Sequence, residues 1–62
     1  PERFKSGYYR AMVDHLLVGP RFTKDKALNG VNGASNEWMR GYRYYTRKHC
    51  VIRRYEDSMN HM

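Results

Sequence analysis

One cysteine, two prolines, six acidic residues and no long apolar run set the first limits on this 62-residue chain. A single thiol, Cys50, allows no internal disulfide. Packing alone must hold the fold, and a reducing compartment, cytoplasm or organellar matrix, is expected. The apolar stretch AMVDHLLV is interrupted by Asp14 and His15. It falls far short of the roughly 20 residues a membrane span needs, so no membrane span is expected. No secretory signal pattern occurs in the sequence. The few acids are scattered, and no Ser/His/Asp or Cys/His group assembles from them. His49 and Cys50 are neighbours, which on a helix point about 100° apart. Neither an enzyme nor a cofactor-binding protein is expected.

What the chain does have is positive charge. Twelve lysines and arginines give a net charge of +6, which favours polyanionic partners, nucleic acid first. The charge is concentrated late. Between Trp38 and Tyr55 stand Arg40, Arg43, Arg47, Lys48, Arg53 and Arg54, with no acid among them.

The chain also writes one pattern twice. Phe4, Gly7, Tyr8, Ala11, His15 and Val18 recur 34 residues later as Trp38, Gly41, Tyr42, Tyr45, His49 and Ile52. Leaving the glycines aside, each set steps i, i+4, i+7, i+11, i+14, the seam spacing of a helix that packs along one face. Gly19-Pro20 reads as the end of the first helix, because proline lacks an amide and disfavours helical geometry before it. Gly30, Gly33 and three asparagines then read as loop, with KDKAL at most a short turn. Ser35 or Asn36 is a natural N-cap for the second helix, with Glu37 in its first turn. The expected architecture is therefore all-α: a helix over 3–18, a long Gly/Asn-rich loop over 19–35, and a helix over 36–57 with a short tail.

A tetratricopeptide array also has a 34-residue period but needs two helices per repeat, which the glycine-broken middle does not supply. An antiparallel two-helix hairpin is expected instead, pairing Phe4 with Ile52, Tyr8 with His49, Ala11 with Tyr45, His15 with Tyr42 and Val18 with Trp38. Gly7 and Gly41 would allow the backbones to approach closely. His15 and His49 would each meet a tyrosine of the other arm rather than a metal, since they lie roughly 10 Å apart along the hairpin at 1.5 Å per residue. Tyr9, Met12, Val13, Leu16, Leu17, Val51 and Tyr55 do not all fit this seam, and those left outside it would face a homodimer partner or a larger protein assembly.

On the second helix Arg40, Arg43, Arg47 and Arg54 fall within about 60° of arc, with Lys48 and Arg53 beside the inner face. Most charge runs are merely solvated faces. Here arginine outnumbers lysine five to one, and arginine's planar fork suits bidentate phosphate contact and stacking on bases. Tyr44 and Tyr55 interleave aromatic rings with the cations, as on single-strand-binding surfaces. These eight residues form the candidate nucleic-acid surface. The long connection is unlike the short turn of a helix-turn-helix, so backbone or RNA-shape recognition is expected over base readout in a DNA groove.

Gly7-Tyr8, Pro20 with Phe22, and WMRGY at 38–42 resemble ribosome modulation factor and its small bacterial and phage relatives. The resemblance extends over roughly residues 4–48, on about seven matched positions; this chain has a longer glycine-rich middle and a longer arginine-rich second helix. It implies a basic, ribosome-associated protein that contacts ribosomal RNA and modulates translation. Two other classes remain open. One is an accessory subunit of a large assembly, such as an organellar ribosome or respiratory complex. The other is a phage-type inhibitor that covers an acidic surface of a host protein.

Overall fold

The computed structural model describes residues 1–50, and over these the chain is all-helical. Three helices follow one another: α1 over Glu2–Leu17, α2 over Pro20–Asn29 and α3 over Asn36–His49. The first helix matches its expected span within a residue. The expected loop over 19–35 does not survive as such, because α2 occupies most of it. Gly19 adopts φ 136°, a conformation that L side chains rarely reach, and so closes α1 while Pro20 opens α2. Proline is favoured at a first helical position, since the amide it lacks would have no helical partner there. Thr23 then accepts the role of the first inward residue, its hydroxyl donating to the Gly19 carbonyl at 3.0 Å. The glycine-rich segment proper is confined to 30–35, where Gly30 and Gly33 take φ of 83° and 85°.

The third helix corrects the sequence reading in length. Ser35 caps it, accepting from the Trp38 amide at 3.2 Å. Its other end comes at His49, and Cys50 leaves helical geometry with ψ 71°. The remainder of the expected helix, 51–57, lies outside the described residues.

An extra helix also reverses the geometry of the pair. With α2 returning between them, α1 and α3 run side by side in the same direction, where a hairpin would be antiparallel. Two glycines mark the crossing. A methyl group built on Gly7 would be driven into the Trp38 carbonyl and would stand 3.1 Å from the Tyr42 nitrogen. A methyl group on Gly41 would meet the Phe4 carbonyl in the same way and stand 3.0 Å from the Tyr8 nitrogen. These two environments are the same environment shifted by the 34-residue repeat: the pair has an internal two-fold relation.

Direction follows from His15 and Tyr45, whose side chains share a hydrogen bond of 2.9 Å. They lie eight residues beyond Gly7 and four beyond Gly41. In a parallel pair crossing at the glycines they are offset by about 6 Å along the axis; in an antiparallel pair, by about 18 Å, beyond the reach of a direct bond. Val18, expected against Trp38, is 62% exposed instead. The expected His15–Tyr42 pairing is likewise replaced, since Tyr42 reaches Asp14. Tyr8 and His49 do meet, at 3.4 Å, and Ala11 and Tyr45 share the core. Phe4 packs on Tyr44, with ring centroids 5.7 Å apart, while Ile52 lies outside the described residues.

That core is small: Ala11, Ala27, Tyr42, Tyr45 and Cys50 are buried together, with Tyr8, Met12 and Trp38 packed at its edge. Tyrosines dominate it, so their hydroxyls must find partners. Among the described residues every buried side-chain polar atom does. Among those residues, too, no helix is long and apolar enough to cross a membrane.

Candidate nucleic-acid interface

The inner faces of α3 dictate what its outer face can carry. Trp38, Gly41, Tyr42 and Tyr45 are spent on α1, while Met39 and Thr46 are buried and Cys50 lies against Thr23 of α2. The arc that remains holds Asn36, Arg40, Arg43, Tyr44 and Arg47, which line one shallow groove. All five are exposed. The sequence-derived set thus splits in two. Arg40, Arg43, Tyr44 and Arg47 come together, with Lys48 beside them; Arg53, Arg54 and Tyr55 lie outside the described residues.

Their chemistry differs from position to position. Among the described residues, ion pairs form only at Asp14, so none of these four cations is paired with a described carboxylate. Arg43 is nevertheless partly committed. Its Nε donates to the Ala27 carbonyl at 2.8 Å, satisfying one of the orphan acceptors at the end of α2. The Arg43 side chain is thereby tied to α2 while also lining the groove. The side chains of Arg40 and Arg47 make no hydrogen bond among the described residues, and both are exposed. Arg47 and Lys48 also stand in the last turn, where cations offset the helix dipole, so part of their presence is structural.

Tyr44 is less open than a stacking platform would be. Phe4 and Tyr8 pack against it, and the Lys48 ammonium sits 5.6 Å from its ring centroid. About half of the residue, 49%, remains exposed at the groove wall. It offers an edge to a ligand and helps hold Lys48 in place.

Sequence reasoning treated Asp14 only as an interruption in an apolar stretch, yet it organises the fold behind the groove. Its buried carboxylate accepts from the Tyr42 hydroxyl at 2.6 Å and from Lys26 Nζ at 3.1 Å, and Arg10 Nε lies at 3.3 Å. All three helices meet there. The signal in the sequence was an acid flanked by apolar residues with Arg10 one turn earlier. Burial alone would raise the Asp14 pKa, but the Tyr42 hydrogen bond, Lys26 and Arg10 together outweigh it and hold the group below its ordinary 3.8. Burial and the Asp14 carboxylate push the Tyr42 phenol strongly upward, so it remains a donor at neutral pH.

A depressed carboxyl pKa stabilises the fold above the unfolded-state value and loses that effect as pH falls through the folded value. The thermal midpoint should therefore fall as the pH drops below about 4. Asp14→Asn should lower stability at pH 7 by about 1–3 kcal/mol and flatten the acid limb. An acid limb equally steep in the variant would show that Asp14 does not organise the core.

Among the described residues the remaining buried titratable groups give no site. Burial pushes the Cys50 thiol up, with Lys24 and the Thr23 hydroxyl opposing, which leaves it protonated and unreactive. Among the described residues no three His, Cys, Asp or Glu side chains converge as metal ligands. No protein-family model matches the chain, and no curated protein or solved structure matches it significantly.

Proposed function

We propose that this chain is a small RNA-binding protein that associates with the ribosome or ribosomal RNA and modulates translation. One observation carries the RNA part: Arg40, Arg43 and Arg47 gather around Tyr44 in one exposed groove that no acid lines, and none of the three is ion-paired among the described residues. A merely solvated helix face would intersperse acids at i±4 spacing. Arg43 is held in place by the Ala27 carbonyl, so less of its freedom is lost on binding. The resemblance of Gly7-Tyr8, Pro20, Phe22 and WMRGY to ribosome modulation factor supplies the ribosomal part.

A second reading has its own support. The outer face of α1, opposite α3, exposes Tyr9, Val13, Leu16 and Leu17, with Leu16 and Leu17 at 72% and 80%. These residues fall within about 100° of arc, a stripe suited to anchoring an accessory subunit on a larger protein.

Salt separates the two. Binding of a fluorescent oligoribonucleotide is measured by anisotropy between 50 and 300 mM salt. Affinity should fall steeply, with a slope near −0.7 in log–log form for each phosphate neutralised. Affinity that is absent at low salt overturns the proposal and leaves the apolar face of α1 as the functional surface.

A further inference from the structure

The arginine groove has a neighbour on its α2 side. Lys24, Ala27 and Leu28 of α2 and Arg43, Thr46 and Arg47 of α3 line a second shallow concavity. Arg43 and Arg47 line both, so the two meet along these side chains. Lys24 is the cation that α2 adds.

Two contacts set where Lys24 stands. The Ala27 carbonyl accepts from Arg43 Nε at 2.8 Å, and Thr23 lies against Cys50. Earlier residues of α2 thus meet later residues of α3, and these two helices run antiparallel. Lys24, one residue past Thr23, is therefore level with the last turn of α3, which holds Arg47. On α2 it points about 100° round from buried Thr23 and about 60° from buried Ala27, so it leaves the core at the rim of the α2–α3 contact. There it is close enough to the Cys50 thiol to oppose the effect of burial on it.

The walls are electrically one-sided. Lys24, Arg43 and Arg47 are exposed and no acid lines the concavity. Neither Lys24 nor Arg47 is ion-paired among the described residues. Asp25, next to Lys24 in sequence, accepts from Asn29 at 3.0 Å instead. On the floor, the Thr46 hydroxyl donates to the Tyr42 carbonyl at 2.8 Å and is already spent. What remains is positive charge from two helices with no carboxylate to offset it. Like charges on facing walls repel, and a phosphate between them removes that repulsion and gains a charge-assisted hydrogen bond from each side.

We infer that Lys24 and Arg47 clamp one backbone phosphate of the bound strand, so that the polyanion track leaves α3 and continues over α2. This rests on the RNA-binding reading and deepens it, since the surface then needs two packed helices and not the α3 sequence alone.

Anisotropy of the labelled oligoribonucleotide compares wild type with Lys24→Ala, Arg47→Ala and the double variant. Lys5→Ala, at an exposed lysine that lines neither concavity, is the control, and circular dichroism checks that each variant is folded. Lys24→Ala and Arg47→Ala should each weaken binding about fivefold near 0.1 M salt and lower the salt slope by about 0.7, while Lys5→Ala changes affinity less than about twofold. The double variant should lose only about tenfold, short of the roughly 25-fold product, because the two cations act on one phosphate. Unchanged affinity in Lys24→Ala overturns the clamp and leaves the arginine groove standing. A double loss equal to the product also overturns it, since the two cations then serve separate phosphates. Wild-type protein that binds no oligoribonucleotide at low salt removes the RNA reading, and the clamp with it.

Discussion

Gly41→Ala and Gly7→Ala should each lower the thermal midpoint by more than about 10 °C, and the double variant should not fold. Intrinsic propensity alone forecasts the opposite, since alanine is favoured over glycine inside a helix by about 1 kcal/mol. Contact decides the sign. The new methyl group would collide with a main-chain carbonyl of the facing helix, Trp38 in one case and Phe4 in the other. A side chain could rotate away; a backbone carbonyl in a helix cannot. The helices must separate, which loosens Tyr42 and Tyr45 along the same contact. Overpacking costs typically about 1–3 kcal/mol, occasionally more, and here the lost tyrosine packing adds to it. A chain of this size has only about 3–9 kcal/mol in total. Each net kcal/mol moves the midpoint of so small a domain by about 4–8 °C. Circular dichroism melts measure this, with exposed Ser6→Ala as a control that should stay unchanged. A midpoint that holds or rises in Gly41→Ala means the helices do not touch there.

Reversal of two groove charges should have the other large effect. Arg40→Glu/Arg47→Glu should reduce oligoribonucleotide affinity at least 100-fold near 0.1 M salt, about 2.7 kcal/mol. Its salt slope should be shallower by about 1.4, the equivalent of two phosphates. Arg43 is left alone for a reason: its Nε bond to Ala27 ties α2 to α3, and its loss would confuse folding with binding. Arg40 and Arg47 carry no such bond among the described residues, so helical content should be retained. Wild-type affinity in the folded double variant removes the groove as the binding surface.

The repeat was readable because seam positions, glycines and histidines all recur at one offset. Its direction was not. A spacing of i, i+4, i+7 looks the same whichever way the partner helix runs, and only the number of intervening helices decides. That number turned on Pro20. Read as a terminator it yields a hairpin; in the structure it is the first residue of α2. The helix-forming run RFTKDKAL behind it, with Thr23 and Ala27 one turn apart and buried, was the available clue.

The groove was readable for a simpler reason. Arg40, Arg43 and Arg47 share an angular sector that holds whatever α1 is doing, provided the aromatic face turns inward. Among the described residues Tyr42 and Tyr45 turn inward and Arg40, Arg43 and Arg47 outward, despite the reversed direction. The second role of Arg43 was not accessible from spacing, because it depends on α2 lying beside α3.

The most direct test of the account is a set of inter-helix nuclear Overhauser contacts in the free protein. Contacts between the Phe4 and Tyr44 rings and between His15 and Tyr45 are expected, with none between Val18 and Trp38. Contacts linking Val18 to Trp38, with those of Phe4 to Tyr44 missing, would mean an antiparallel pair and contradict the glycine crossing on which the outward arginine face depends.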